Sequence, residues 1–401
     1  MAGASANEWK RPGASELIPL PEGSELFLLP DRFPVGFNPR KKDFEVLSSD
    51  PFNPGKPVRA VAAFMAPAYT QLYSTAYKSQ SDAPLLPLFA YTAVGWHKGG
   101  FVVPAVRIDR DERQDLRNFD PKKIERNARR RMEQERDNRL VQHLGKCALT
   151  YGCPAARNLF MNRWEAPLPT SPVCNARCIG CISLQNKKDL SATQDRITFV
   201  PTPEEICGVA VPHLLKAPRA VVSFGQGCEG EPLLQAPTLR DAIVMMRKAT
   251  DRGTINLNTN GSLPDEVDGL CRAGLQSIRV SMNSARPEFY QKYFRPKGYA
   301  FEDAKRSIAT VKANGGFASI NYFVFPGFTD QESEWQALRQ LILETRLDLI
   351  QMRNLNIDPE WYVSLMKPDI AEKKIGIREL IRRLQHEFPN LRLGYFNPPL
   401  D

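Results

Sequence analysis

The chain has 401 residues, a net charge of +9 and the composition of an ordinary soluble globular protein, which allows two domains or one barrel with appendages. Its longest apolar stretch, near residues 60–67, is far shorter than the roughly 20 residues that a membrane helix needs. Residues 1–40 carry Pro, Gly and charge rather than the apolar segment of a signal peptide. We therefore expect a cytoplasmic protein that does not enter a membrane.

Residues 1–118 are rich in proline and read as extended chain. Residues 58–64 and 101–106 are typical of strands, and the paired glycines within 96–101 favour a hairpin turn because glycine tolerates positive φ. We expect a β-rich module in this part of the chain.

Residues 119–165 are predicted to form a basic helical linker. It begins with Asp120 and Pro121, because an Asp cap followed by proline at the first helical position is a strong start signal. The linker holds the densest run of positive charge, including Lys122, Lys123 and 129–131, but acidic residues lie at spacings that allow ion pairs along the helix. A solvated charged helix and a surface for nucleic acid both remain open.

From residue 173 onward, segments typical of strands alternate with segments typical of helices. Such repeated βα units predict a parallel sheet with right-handed connections, whose chemistry lies at the carboxyl ends of the strands. The predicted strands are 220–224, 254–257, 277–281, 318–325 and 348–352. The predicted helices are 202–215, 238–252, 264–273, 302–313 and 331–345.

The most specific motif is a loop with three cysteines, Cys174, Cys178 and Cys181, at spacings of four and three. Three thiolates on one short loop can bind three corners of a cubane iron–sulfur cluster and leave the fourth iron open. A structural zinc ion usually has four closed ligands, so zinc would need a remote fourth cysteine. Zinc and a chance arrangement therefore stay open for this motif alone.

This spacing, directly after a probable first strand, is similar to the signature of the radical S-adenosylmethionine (radical SAM) superfamily. The resemblance implies a [4Fe–4S] cluster on Cys174, Cys178 and Cys181, with S-adenosylmethionine bound to the open iron. One position departs from the family, because Gly180 stands where an aromatic residue usually lies near the adenine. The adenine contact would then come from another side chain.

A second motif, Gly230-Glu231-Pro232, follows the strand predicted at 220–224 and resembles the Gly-Glu-Pro element of that superfamily. The resemblance implies that Gly230, Glu231 and Pro232 bind the methionine amino group. With Gly225 and Gly227, the segment also matches a dinucleotide-binding fingerprint. That interpretation fails, because the fingerprint should open directly into a helix and here it is followed by Glu and Pro.

Polar residues follow the next predicted strands, and the resemblance assigns Asn258, Asn260, Ser281 and Asn283 to the ribose and methionine carboxylate. The alternative is that these residues only cap turns. Arg353, after the last predicted strand, is our candidate for a substrate-binding cation, with a structural ion pair as the alternative. The sequence identifies no catalytic side chain. The resemblance covers residues 166–357, and residues 358–401 form a C-terminal extension in which 391–396 could add a strand at the open edge.

Four further cysteines, Cys147, Cys153, Cys207 and Cys228, leave a second cluster open, with buried free thiols as the alternative. A role as hydrogen-atom donor or ligand is also open for Cys228, which lies in the loop of the second motif.

Together these observations predict an α/β protein: a partial (β/α)6 barrel of radical SAM type with an N-terminal β-rich module and a helical linker. The resemblance implies reductive cleavage of S-adenosylmethionine and hydrogen abstraction from an unidentified small molecule, with an electron donor such as flavodoxin or ferredoxin as partner. Modification of RNA or of a protein is the alternative, supported by the basic helix. A zinc-bound interaction module is a more distant one.

Overall fold

The N-terminal part of the chain consists of small antiparallel sheets, in a computed structural model that describes residues 1–185, 187 and 189–400. The β-rich module is therefore present. Its strands are β1 (Gly3–Ser5), β2 (Glu8–Lys10), β3 (Leu17–Pro19), β4 (Glu25–Leu28), β5 (Arg32–Asn38), β6 (Asp43–Val46), β7 (Val61–Phe64), β8 (Tyr69–Gln71), β9 (Ser74–Thr75), β10 (Tyr77–Ser79), β11 (Thr92–Ala93), β12 (Gly95–His97) and β13 (Gly100–Arg107).

The linker is three helices rather than one: α1 (Pro121–Gln134), α2 (Arg139–Leu149) and α3 (Pro154–Phe160). The Asp120 side chain caps α1 as expected, accepting a hydrogen bond from the backbone N–H of Lys123. The next helix begins after Asn138, whose side chain accepts hydrogen bonds from the N–H groups of Leu140 and Val141 in the first turn of α2.

Part of the positive charge of α1 is neutralised within the helix. Arg129 pairs with Glu125 at 2.9 Å, and Arg131 pairs with Glu135 at 2.8 Å. These are the ion pairs that the sequence spacing allowed. Binding of nucleic acid by this helix stays a prediction.

The remainder of the chain forms one seven-stranded parallel sheet whose strands follow one another in chain order, with helices between them. This arrangement confirms the predicted α/β class and partial barrel. The strands are β14 (Glu165–Leu168), β15 (Val221–Phe224), β16 (Thr254–Thr259), β17 (Ser277–Met282), β18 (Phe317–Val324), β19 (Leu349–Asn354) and β20 (Arg392–Gly394). The helices are α4 (Pro203–Lys216), α5 (Ala236–Ala249), α6 (Pro264–Ala273), α7 (Pro287–Phe294), α8 (Phe301–Ala313), α9 (Glu332–Thr345), α10 (Pro359–Met366) and α11 (Ile377–Glu387).

The last strand, β20, pairs in parallel with β19, so the C-terminal segment does extend the sheet at its open edge. Helices α7, α10 and α11 were not predicted. No helix in the described part of the chain is both long and apolar enough to cross a membrane.

The two faces of the barrel sheet differ in chemistry. One set of alternate residues, which includes Ile255, Ile278 and Ile350, is fully buried in the main hydrophobic core. The other set is polar and connected by hydrogen bonds, for example from Ser277 Oγ to Asn256 Oδ1 at 2.7 Å. Strands of a parallel sheet are usually apolar on both faces. A polar inner face therefore indicates that the barrel interior has a function beyond packing.

The N-terminal module packs directly on the barrel edge. Thr70 in β8 donates to the carbonyl of Met352 at 2.9 Å, and the backbone N–H of Gln71 donates to Asn354 Oδ1 at 2.9 Å. Arg32 and Asp358 form an ion pair at 2.9 Å in which both side chains are almost completely buried. These contacts connect β5 and β8 of the module to β19 and the start of α10.

Removing Arg32 should destabilise the protein strongly, because the Asp358 carboxylate would stay buried without a counter-ion. We expect Arg32→Ala to lower the free energy of unfolding by about 3–5 kcal/mol, measured by denaturant titration. The matched control is Lys41→Ala, which removes an exposed ion pair with Glu45 and should leave the unfolding midpoint almost unchanged, because solvent screens exposed charges. Equal unfolding midpoints for the two variants would contradict the prediction.

Candidate functional site

The three-cysteine loop lies just beyond the end of β14 and is held by backbone hydrogen bonds to the end of α7. The N–H groups of Arg177 and Ile179 donate to the carbonyls of Phe294 and Tyr293 at 2.9 and 3.0 Å. A third bond runs from Lys297 N–H to the carbonyl of Asn175 at 2.8 Å. The conformation of the loop is therefore set by a helix more than one hundred residues away.

On its other side, the same loop lies directly against the Gly-Glu-Pro segment. The N–H of Gly230 donates to the carbonyl of Ser171 at 2.6 Å, and the N–H of Glu231 donates to the carbonyl of Val173 at 2.8 Å. A Cβ atom at Gly230 would lie 1.9 Å from the carbonyl oxygen of Val173. Only glycine permits this approach, so the structure brings the two sequence motifs into direct contact.

Two glutamates fix the loop that carries Gly230. The Glu229 carboxylate accepts hydrogen bonds from the N–H groups of Thr170, Ser171 and Gln226, and the Glu231 carboxylate accepts from Asn260 N–H at 2.8 Å. Burial raises the pKa of both carboxyl groups to about 7, although these N–H donors act in the opposite direction. The Glu231 side chain therefore connects this loop to the end of β16.

The three cysteines line one cavity of about 360 Å³ at the ends of the strands. Burial raises the pKa of the Cys174 thiol to about 11 and that of Cys178 well above its usual value, with the neighbouring cysteines as a further cause. Clustered thiolates are therefore unfavourable here unless cations neutralise them. The cations of the cavity wall are Arg177, Lys187, Arg196 and Arg295.

Arg196 is the cation in closest contact with a cysteine and was not identified from the sequence. Its Nη2 atom donates to Cys181 Sγ at 3.5 Å, and its Nε atom donates to Ser183 Oγ at 3.2 Å. Three convergent thiols, a cavity and surrounding positive charge fit an anionic iron–sulfur cluster with three protein ligands.

The glycine at position 180 is explained by Tyr293. A Cβ atom at Gly180 would lie 2.6 Å from the Tyr293 hydroxyl oxygen, so the tyrosine from α7 occupies the space that a side chain at 180 would need. The Tyr293 ring is almost completely buried and packs against Phe323 and Tyr362. An aromatic group is thus present beside the loop, but it comes from a distant helix.

Asn258 and Asn260, both predicted to contact S-adenosylmethionine, are buried and hydrogen-bonded to other protein groups. Asn258 Nδ2 donates to the carbonyls of Phe224 and Gly225, each at 2.9 Å. Asn260 Nδ2 donates to Asn175 Oδ1 at 2.8 Å, which connects the end of β16 to the three-cysteine loop. Their cofactor contacts stay predictions.

Of the other predicted contacts, Ser281 and Asn283 lie at or near the end of β17. Asn283 is fully buried, and its Nδ2 donates to the carbonyl of Phe289 at 3.2 Å while no partner of Oδ1 is found among the described residues. Ser281 is partly exposed on the inner face of the sheet. Pro232 is buried at the start of a short 3-10 turn. These roles also stay predictions.

Arg353 lies on the inner face together with a second arginine, Arg279. Arg279 Nη1 and Arg353 Nη2 both donate to Gln351 Oε1, at 2.9 and 3.4 Å. Burial and the neighbouring Arg353 lower the pKa of Arg279 to about 9. Sequence reasoning missed Arg279, although a cation alternating with apolar residues inside a parallel strand was a usable signal.

Of the five remaining cysteines, Cys147 and Cys228 come together, with His143 beside them. Hydrogen bonding from Cys228 and from His143 lowers the pKa of the Cys147 thiol to about 5, although burial acts in the opposite direction. The Cys207 thiol instead donates to the carbonyl of Ala242 at 3.5 Å.

A cavity lined by three thiols and several cations, at the carboxyl ends of a parallel barrel, is typical of an iron–sulfur enzyme. Residues 168–337 match the model of the radical SAM superfamily, and this range contains both motif loops and β15–β18. The chain therefore carries a radical SAM domain and is an enzyme, with a [4Fe–4S] cluster and S-adenosylmethionine as cofactors.

Among curated proteins, the chain is similar to the FeMo cofactor biosynthesis protein NifB of Bradyrhizobium diazoefficiens, with 25% identity over 177 residues that cover 40% of this chain and 34% of NifB. The match thus spans about a third of the length of that relative. One similar solved structure is Streptococcus suis SuiB bound to precursor peptide SuiA, with 13% identity, a TM-score of 0.41, and coverage of 64% of this chain and 53% of SuiB. Another is a radical SAM methyltransferase from Sphaerobacter thermophilus, with 14% identity, a TM-score of 0.39, and coverage of 59% and 66%.

The contact between the two motif loops predicts that Gly230→Ala is strongly destabilising. The added methyl group meets backbone rather than a movable side chain, so we expect a loss of about 3 kcal/mol in the free energy of unfolding, measured by denaturant titration. The control is Gly100→Ala, because a Cβ atom at Gly100 would meet no atom within 4 Å. Wild-type stability of Gly230→Ala would show that the loops are not in contact.

Proposed function

We propose that Cys174, Cys178 and Cys181 hold the [4Fe–4S] cluster and that the chain uses it to cleave S-adenosylmethionine reductively and abstract hydrogen from a small anionic substrate. One observation carries the first part of this proposal: the three thiols line a single cavity of about 360 Å³ whose wall also carries four cations. The thiolates supply negative charge, and these side chains offset it in a partly buried site.

When bound, the cluster and S-adenosylmethionine supply an electron for carbon–sulfur cleavage and a radical that abstracts hydrogen. The residues of this chain position and shield that chemistry. Arg196 donates to Cys181 Sγ and holds that ligand in place. The buried rings of Tyr293 and Phe294 make the side of the loop that faces α7 apolar.

The Gly-Glu-Pro segment would contact S-adenosylmethionine through its backbone. The Glu231 carboxylate is occupied by hydrogen bonds to β16, so its role is to hold Gly230 beside the three-cysteine loop. Asn260 acts in the same way through Asn175. The partly exposed Ser281 is the side chain among the predicted set that is most available to a cofactor.

The inner face of the barrel supports an anionic substrate. Among the described residues, neither Arg279 nor Arg353 has a carboxylate within ion-pair distance, and both share the neutral acceptor Gln351. Arg353 also stacks on Tyr395 at 4.3 Å, which fixes its orientation. The charge of Glu165 acts on Arg279 without a direct ion pair. Two partly buried cations that share a neutral acceptor favour a ligand with a carboxylate or phosphate group.

Superfamily members need a reductant, and we propose an acidic electron carrier such as flavodoxin or ferredoxin. Arg177, Lys187 and Arg295 are exposed at the mouth of the cysteine cavity. Their charge would attract a negatively charged partner to the place where the electron must enter.

The cluster assignment is tested by anaerobic reconstitution with iron and sulfide. We expect about four iron atoms per chain in the wild type and almost none in Cys178→Ala, because each cysteine binds its own iron. Cys271→Ala is the control, since this thiol lies on α6 and should leave the iron content unchanged. One zinc ion and no iron in the reconstituted wild type would refute the proposal.

The substrate assignment is tested by measuring S-adenosylmethionine cleavage in the presence of cell extract fractionated on an anion exchanger. A retained fraction should stimulate the wild type, and Arg353→Gln should reduce that stimulation about tenfold or more, because a hydrogen bond to a charged group contributes about 1.5–3 kcal/mol. Cleavage without extract and iron content should not change. Arg392→Gln, at an exposed position of β20, is the control.

Stimulation by an unretained neutral fraction, or full stimulation of Arg353→Gln, would refute an anionic substrate. Comparison of metabolites between the wild-type strain and a Cys178→Ala strain would then identify the compound that accumulates.

A further inference from the structure

A second cluster of metal-binding side chains lies outside the cysteine cavity. His143, Cys147 and Cys228 bring one imidazole and two thiols together, with ligand atoms that all lie within 4.8 Å of one another. Both thiols are almost completely buried, at 2% and 5% exposure. We propose that these residues form a second, mononuclear metal site that binds one divalent transition ion of the Zn²⁺ type.

The three side chains come from two distant parts of the chain. His143 and Cys147 are one turn apart on α2 and therefore point to the same side of the helix, with His143 Nε2 at 3.5 Å from Cys147 Sγ. Cys228 lies on the loop after β15, and its carbonyl accepts a hydrogen bond from Ile197 N–H at 2.8 Å. Packing of the linker helices on the barrel is what completes the site.

The spacing of the ligand atoms favours a single ion over a second iron–sulfur cluster. With Zn–S near 2.3 Å and Zn–N near 2.0 Å, a tetrahedral site places its ligand atoms roughly 3.5–3.8 Å apart, close to the 3.5 Å between His143 and Cys147. The thiolates of a cubane each bind a different iron and lie farther apart.

The donor set also selects the kind of metal. Thiolate and imidazole together suit borderline ions such as Zn²⁺, whereas Mg²⁺ and Ca²⁺ prefer oxygen ligands. Three protein ligands leave a fourth position open. Cys153 is the candidate for that position, because its backbone N–H donates to the carbonyl of Cys147 at 3.1 Å.

A metal at this site would stabilise the loop that approaches S-adenosylmethionine. Cys228 lies two residues before Gly230, whose N–H group contacts the chain just before the three-cysteine loop. An ion bound to His143, Cys147 and Cys228 would attach that loop to α2. The bound ion would therefore position the loop beside the radical SAM centre and would take no part in the reaction itself.

The test uses the full chain with Cys174, Cys178 and Cys181 replaced by Ala, so that the main cluster contributes no absorbance. Titration with Co²⁺ alone should give one equivalent per chain, with thiolate charge-transfer bands and tetrahedral d–d bands that disappear on adding Zn²⁺. In the same background, Cys147→Ser, Cys228→Ser and His143→Ala should each weaken Co²⁺ binding by about tenfold or more. Cys207→Ser is the matched control and should bind as tightly as the parent.

A second measurement does not depend on folding of that background. Iron and zinc are quantified separately in the chain with all three cluster cysteines intact, and Cys228→Ser should lose zinc while it keeps its iron. If the cluster assignment is wrong, the wild-type chain should bind zinc without iron. The two proposals therefore fail in distinguishable ways. Absence of stoichiometric metal, an oxidised Cys147–Cys228 pair, or extra iron that Cys228→Ser removes would each overturn the mononuclear site.

Discussion

The arrangement of the site depends on one close approach of two backbone segments. Gly230 and Glu231 donate to carbonyls immediately before Cys174, and the missing side chain of Gly230 makes that distance possible. Because these bonds involve main-chain atoms, they fix the loop without using any side chain. The carboxylates of Glu229 and Glu231 then hold the Gly-Glu-Pro loop in place. They accept hydrogen bonds from backbone N–H groups that directly follow β14 and β16. A buried carboxylate surrounded by N–H groups is therefore structural support here and not an unsatisfied charge.

The opposite side of the three-cysteine loop depends on α7, an eight-residue helix whose terminal carbonyls accept the bonds of Arg177 and Ile179. This helix also brings in Tyr293, which fills the space next to Gly180. The motif therefore has a glycine at position 180 because the aromatic ring of Tyr293, from α7, occupies the adjacent space. A substitution at either position changes the volume that the other requires.

The sequence pattern was sufficient for the barrel, because long amphipathic helices and apolar strands have strong periodicity and clear start signals. Helix α6 was predicted with its exact bounds. Helix α7 was missed although its four buried aromatics recur at helical spacing, because eight residues are fewer than the window in which a helical period is read. The pattern also placed Asn258 and Asn260 at the site without revealing their hydrogen-bond partners, since a turn-forming asparagine and a ligand-binding asparagine look the same in sequence. The meeting of Cys147 with Cys228 could not be predicted either, because it depends on how α2 packs against the loop after β15.

The positive charge of the chain has two different origins in the fold. On α1, Arg129 pairs with Glu125, and Arg131 pairs with Glu135 at the C-cap, while the other cations of this helix are exposed to solvent. At the cysteine cavity and on the inner face of the barrel, Arg196, Arg279 and Arg353 instead donate to thiol, amide or carbonyl groups. Burying a cation without a counter-ion is costly, so such positions are maintained where an anion completes them. A carboxylate or phosphate group of a substrate would complete Arg353 in this way, as we propose. Most cations of α1 are exposed instead, so binding of a polyanion at that helix stays a separate prediction.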